Sequence, residues 1–389
     1  MQTTRLLIWS IVSLLAFASC RPQQVATTQP ASAEPDSTYL VTQKGDTLKN
    51  LTTEIKIGIH PVKRDTISVV GVGDIMLGTN FPDTSYLPPD SGQYLLANVQ
   101  AYLQDADLTF GNLEGVVLDS GGTQKTCSDP KLCYLFRMPR YLAGHLKNAG
   151  FDVLSTANNH AGDFGDEGRK STLQVLDSLE IQHAGQLMHP TAVFEHKGIK
   201  WGFIAFSPNY GTLSITQTET AVKMVKELAA QTDIVLVSFH GGAEGSKHQH
   251  ITRQTETYYG ENRGNVYEFS HALVDAGADI IFGHGPHVTR AIEVYQDRLI
   301  AYSLGNFATY ARFNLRGENG LAPILKVYTS AEGKFYRAEI IPVIQLGEGI
   351  PTIDPEKRVI KTLQTLTKED FPEVPLFISE SGEVTLVTE

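Results

Sequence analysis

Apolar and polar positions alternate between two periods along this chain, and the alternation predicts its elements. Short β-branched or apolar runs at Thr66–Gly73, Asp107–Phe110, Phe151–Ser155, Gln182–Ala184, Asp233–Phe239 and Leu299–Leu304 are the length and composition of buried strands. The run opening Ile280–Val288 belongs with them. Between the runs, apolar residues recur at helical spacing over Tyr94–Leu103, Arg137–Gly150 (starting near Pro139), Gly168–Leu179, Thr220–Ala230 and Val266–Ala276, with a last helix over Pro355–Lys368. Ala192–Lys200 and Trp201–Ser207 read as a hairpin around KGIK, and Ala322–Tyr328 and Lys334–Gln345 as antiparallel strands closing one side. Strands that mostly alternate with helices predict a parallel or mixed α/β sheet covered by helices on both faces.

The front of the chain departs from this pattern. Arg5 precedes the apolar run LLIWSIVSLLAFA, which is short for a membrane span and leads into small residues and Cys20, so residues 1–20 read as a secretory signal. The Ala18–Ser19–Cys20 ending resembles the lipobox of bacterial lipoproteins, with Phe17 where leucine is usual. That resemblance makes Cys20 the lipidated residue and places the protein in the cell envelope, held to membrane lipid. Arg21 to about Thr47 is rich in Gln, Thr, Ala, Pro and Ser and buries too little to offset the entropy of ordering, so residues 21–60 are expected to be a flexible tether. Residues 61–350 form the folded domain, and residues 351–389 a C-terminal helix and tail without chemical signal. A formal net charge of −11 argues against a nucleic-acid partner.

Candidate chemistry collects where strands end. Asp74 follows the first strand, and Asn112 and Glu114 follow the second. Asn158, Asn159 and His160 follow the third. His240 ends the Asp233–Phe239 run, with Glu244 four residues on. His284 and His287 stand three apart in a loop stiffened by Pro286, and Asn306 follows the last of these strands. Sites in α/β sheets form at the carboxyl ends of strands. Carboxylates, an amide oxygen and imidazoles suit a borderline or hard divalent ion, Mn, Zn, Fe or Mg. Any one such loop has a bland explanation in turn or cap chemistry, and His145 and His183 read as structural histidines. His248 and His250 read as surface residues more readily than ligands. Arg253 and Arg263 could meet an anionic substrate, and Asn209 could support the site from behind. Cys127 and Cys133 are spaced for a small-loop disulfide; two zinc ligands are the alternative.

Taken in order, GDIMLG, GNLEG, NNHAGDFG, FHGGAEG, DAGADIIFGHGPHV and YSLGNFA resemble the motif series of the CapA (poly-γ-glutamate biosynthesis) family, related to calcineurin-like metallophosphatases. The resemblance runs from about Ile67 to Phe307. It implies a four-layer α/β/β/α sandwich of two mixed sheets flanked by helices. It implies Asp74, Glu114, Asn159, His240, His284 and His287 as metal ligands and His160 as general acid beside Asn159, with one or two ions bound. Asn112, Asn158, Glu244, Arg263 and Asn306 would support the ligands or meet substrate. The D-x-H of the related phosphatases is Asp74–Ile75–Met76 here, and their G-D-x-x-D is replaced by Gly111–Asn112–Leu113–Glu114, so one first-metal ligand is missing. The implied activity is metal-assisted hydrolysis or transfer on a phosphoester or an anionic, amide-linked surface polymer, among capsule-synthesis partners. A non-enzymatic, metal-stabilised scaffold of a capsule-export machine is the competing expectation.

Overall fold

A computed structural model describes residues 65–127 and 133–387. The signal stretch, Cys20 and the tether lie outside the described residues.

The Ile67–Met76 strand is the spine of the larger sheet. It runs parallel to Leu108–Leu113 on one side and antiparallel to Leu321–Thr329 on the other, so this ten-stranded sheet is mixed. A second, six-stranded sheet has Ile280–His284 and Ile234–His240 parallel at its centre, with Ile199–Phe206 beside them. The side-chain period of two explains how each sheet buries both faces. Val69, Phe110 and Val153 of the first sheet meet Phe203, Leu236 and Phe282 of the second in one core. Val70, Val72 and Leu154 face outward onto helical Leu142, Leu146 and Leu176. Val235, Val237 and Ile281 of the second sheet likewise face Val225, Phe269 and Leu273. The layers therefore run helix, sheet, sheet, helix, the four-layer sandwich that the motif resemblance implied. The sheets approach so closely at Gly71 that a Cβ there would lie 2.5 Å from the Phe282 ring.

Most helices fall within a few residues of their expected bounds, at Arg140–Ala149, Gly165–Ser178, Thr218–Ala229, Val266–Asp275 and Arg358–Asp370. Gly150, at φ 100°, ends the first of these in the left-handed conformation that glycine adopts without a Cβ penalty. Tyr94–Leu103 is different. Only Gln100–Gln104 is α-helical. Upstream, Leu95 N–H bonds to Gly92, Ala97 to Tyr94 and Val99 to Leu96, so successive turns close over three residues rather than four. Leu95, Leu96, Val99 and Leu103 are nonetheless buried. The apolar spacing marks the buried face but does not fix which hydrogen bonds close along it.

Two further expectations are corrected. Leu299–Leu304 is not a single central strand. Arg298–Ala301 pairs in a hairpin with Ile292–Tyr295 in the second sheet, and the chain then crosses so that Asn306–Thr309 lies parallel to Ile67–Met76 in the first. The crossing is tight: a Cβ at Gly73 would come within 1.9 Å of the Gly305 carbonyl oxygen. The C-terminal tail also belongs to the domain. Leu376–Ile378 and Glu383–Leu386 form a hairpin whose second strand pairs with Arg337–Glu339, extending the first sheet. Among the described residues, no helix is long and apolar enough to cross a membrane.

Candidate metal centre

Asp74 lies within its strand rather than after it, at a register shift where pairing with Leu108–Leu113 and with Asn306–Thr309 is irregular. Its backbone N–H bonds to the Gly305 carbonyl at 2.8 Å. Its side chain is fully buried and sits where the two sheets' strand ends meet. Asn112 Nδ2 donates to Asp74 Oδ1 at 2.8 Å, and Asn158 Nδ2 donates to Asn112 Oδ1 at 3.2 Å and to the Leu113 carbonyl at 2.8 Å. A chain of amides thus fixes the carboxylate from the first-sheet side.

From the second sheet come His240 and His284, the last residues of adjacent parallel strands and register partners. His284 Nδ1 lies 3.3 Å from Asp74 Oδ1. His287, held at φ 58° just past Pro286, places Nδ1 2.9 Å from Asp74 Oδ2 and Nε2 3.5 Å from Glu114 Oε1. Asn306 accepts at 3.2 Å from that same Nδ1 and donates to the His287 carbonyl at 3.1 Å, which secures the unusual backbone. Asp74, Glu114 and His287 each offer a ligand atom within 4.8 Å of the others, a group that could hold a metal ion.

The fit of such an ion rests on unmet polar capacity. Both oxygens of Glu114 and both ring nitrogens of His240 and His284 are buried without a hydrogen-bond partner among the described residues, as is Asn159 Oδ1. A buried carboxylate with neither oxygen bonded is costly unless something positive meets it. Electrostatics agree. Burial, then the charge of Asp74, pushes the Glu114 carboxyl well above its ordinary pKa. Burial opposes the charge of Asp74, but the imidazoles of His284 and His287 outweigh it and hold that carboxyl well below the usual range. Burial likewise drives His240 well below 6.5 and keeps it neutral, the form that ligates metals. For His287 burial is overcome by Glu114 and Asp74, and its pKa is raised to about 10.

The structure gathers nearly every residue expected at the site. His160 Nε2 lies 4.0 Å from Glu114 Oε1, and Asn159 joins His160 and His287 in lining a cleft of about 360 Å³. Glu244 and Arg263 line the same cleft, bonded to each other at 2.9 Å. Arg253 is elsewhere: it pairs with Glu373 and the Asp370 carbonyl, because the polar loop carrying it packs on the C-terminal segment. His250 is tied to Asp370 in the same place. His145 bonds the Ser91 carbonyl, and His183 meets Asp177, both structural as expected. Cys127 and Cys133 form a disulfide.

One site residue escaped the sequence reading. Asp163 Oδ2 lies 2.7 Å from His160 Nδ1 and accepts from the Phe136 N–H at 2.8 Å. The signal was present as an aspartate three residues after the histidine in NNHAGDFG, in a segment whose glycines suggested only a turn.

A divalent-ion-type ligand set at the strand ends of a four-layer α/β sandwich defines the class. Residues 68–311 match the bacterial capsule synthesis protein PGA_cap family, and this chain belongs to that family. It is 29% identical over 264 residues to the capsule biosynthesis protein CapA of Bacillus anthracis, covering 64% of this chain and 62% of the relative. It is 31% identical over 262 residues to the PGA biosynthesis protein CapA of Bacillus subtilis, covering 62% and 63%. The match thus spans less than two thirds of these relatives. Among solved structures, a calcineurin-like phosphoesterase of Bacillus subtilis is similar at 13% identity and TM-score 0.38, covering 78% of this chain and 98% of that one. A 5'-nucleotidase precursor of Thermus thermophilus is similar at 13% identity and TM-score 0.41, covering 79% and 59%. At these TM-scores the fold rests on the chain's own sheets and helices.

Proposed function

We propose that this chain is an exported, lipid-anchored, metal-dependent hydrolase or transferase of the bacterial cell envelope, acting on a phosphoester or an amide-linked anionic polymer within capsule synthesis. The observation that carries the reading is the convergence of Glu114, His240 and His284, buried with unmet ligand atoms, around Asp74 and His287. These five, with Asn159, would hold the ion. Mn, Zn, Fe or Mg bound there would supply Lewis acidity at the scissile bond. The protein's own part is positional. Asp163 takes the Nδ1 side of His160, which fixes the ring and leaves Nε2 as the atom that carries a proton to the leaving group. The amide chain through Asn112 and Asn158 holds Asp74 in place. Glu244 and Arg263 border the cleft where substrate would lie.

A specific observation favours a single ion, or a scaffold role, over a two-metal centre. Met76 stands where D-x-H phosphatases carry a ligand histidine, and its sulfur accepts from the Gly78 N–H at 3.3 Å inside the core. The test is elemental analysis of freshly purified protein together with turnover of phosphoesters and glutamyl amides under added Mn or Zn. Turnover by wild type that His284→Ala abolishes supports the enzyme. Bound metal without turnover on any ester or amide supports the scaffold.

A further inference from the structure

The loop that carries His160 is gripped by two separate stretches of chain. Lys125 N–H bonds to the Asp163 carbonyl at 2.8 Å, and Lys125 Nζ donates to the Asn159 carbonyl at 2.9 Å. Phe136 N–H donates at 2.8 Å to Asp163 Oδ2, the oxygen that meets His160 Nδ1, and the Phe136 ring lies 4.3 Å from the imidazole. Asp163 Oδ1 is buried without a partner among the described residues, so the carboxylate's hold on the ring rests on Oδ2. The two stretches are unequally anchored. Arg137–Met138 pairs with Val116–Val117, and Val116 N–H bonds to the Phe136 carbonyl at 3.2 Å, so a strand pair fixes the Phe136 stretch. Residues 121–127 join no strand among the described residues. Past Gly122, whose N–H donates to Glu167, the two Lys125 bonds are the stretch's hydrogen bonds among the described residues. Lys125 is exposed, and bonds that compete with water hold weakly. What ties this stretch to the anchored one is the Cys127–Cys133 disulfide. Both cysteines are partly exposed, and Cys127 and Lys125 line the cleft over the ligand cluster.

We propose that Cys127 and Cys133 are positioning residues for the His160–Asp163 pair, and that their bridge is a site of thiol–disulfide exchange that governs it. A dithiol supplies the two electrons and two protons. One of its thiolates attacks a bridge sulfur, its second displaces the mixed disulfide, and it leaves as a disulfide while Cys127 and Cys133 become thiols. The freed stretch then lets go of the Asn159 and Asp163 carbonyls. These residues bracket His160, so slackening both unsettles the direction of Nε2. The effect on turnover rests on the functional reading above; the effect on the loop does not.

NMR of the full chain in EDTA, with and without dithiothreitol, reads the loop without metal or substrate. Reduction is expected to speed exchange of the Lys125 amide about 10-fold or more, while the Val116 amide in the strand pair keeps its rate. Proton–nitrogen correlations of the neutral His160 ring should show the Nδ1–H tautomer with the bridge intact and a mixture after reduction. Reoxidation restores both signatures. Cys127→Ser with Cys133→Ser reproduces the reduced spectra and no longer responds to dithiothreitol. Reduction acts on the folded protein, so it keeps the test open if the serine variant fails to fold. An unchanged Lys125 rate, or a uniform loss of protection with an unchanged His160 tautomer, would overturn the proposal. Turnover, assayed after the dithiothreitol is removed, is scored separately. In the reduced protein kcat should fall about 10- to 100-fold with KM near its starting value, as misplacement of a reacting group does. Equal turnover in the two states overturns the proposal. Absence of turnover in both, with the NMR signatures as expected, sinks the enzyme reading and leaves the bridge's role standing.

Discussion

Two clusters of histidine and carboxylate in this protein are built on opposite principles. In one, His271 Nε2 meets both oxygens of Glu293 at 3.0 and 3.1 Å, Tyr302 donates its hydroxyl to Glu293 at 2.7 Å, and the imidazole stacks on Tyr295 at 3.8 Å. Both Glu293 oxygens have donors. In the other, six atoms of Glu114, His240 and His284 have no hydrogen-bond partner among the described residues. A satisfied polar network stabilises and specifies a core; an unsatisfied one costs stability unless a ligand completes it. Residue type is the same in both places, though His271 is partly buried where Glu114, His240 and His284 are fully so. What distinguishes structure from function is whether the hydrogen bonds close.

The comparison breaks most visibly in catalysis. On the proposed reading, His160→Gln lowers turnover by about 10² to 10⁴-fold, as loss of a proton-transfer group does, while His271→Gln leaves turnover near wild type. Steady-state assay on whichever substrate the wild type turns over checks both. Cation stabilisation is next. At 100 times its dissociation constant, a divalent ion adds about 2.7 kcal/mol to the stability of wild type. Thermal melts should show that gain vanish in Asp74→Asn and persist in Glu293→Gln. Glu293→Gln itself, by disturbing a closed network, costs about 1–3 kcal/mol in urea melts without changing cation affinity.

The smallest effect is a proton count. The His287 pKa, raised to about 10 from 6.5, means that the charged ring contributes stability to the metal-free fold fully below pH 6.5, a contribution lost as pH climbs through 10. At neutral pH an ion must therefore displace a proton, so cation affinity rises with pH. Calorimetry in two buffers of different ionisation enthalpy should read about one proton or more released on cation binding. Zero release would mean that His287 is not a ligand.

How far the sequence reached is clear from particular residues. Asp74, Glu114, His240 and His284 were identifiable because each stands at or just beyond the end of an apolar run, and such ends face one rim in α/β sheets. Strands that alternate with helices pointed to a mixed sheet covered by helices, and the four-layer order came from the motif resemblance. Asp163 was not legible, because an aspartate among glycines reads as a turn until its histidine is seen 2.7 Å away. Arg253 was misplaced because charge in a loop says nothing about which surface the loop packs on. The sheet crossing at Gly305 was missed for a related reason. Strand propensity is local, but the choice of sheet depends on which partner edge is free.

The amino-acid order, then, determined most of the strands and helices and which polar groups stand at their ends, since both follow from short-range periodicity and turn chemistry. Only the tertiary structure decided that two different sheets supply the cluster, that the Glu293 network closes while the Glu114 one stays open, and that Lys125 and Phe136 grip the loop beside it. Those outcomes depend on contacts between residues far apart in the chain, and distance in sequence carries no information about whether a hydrogen bond is finally made.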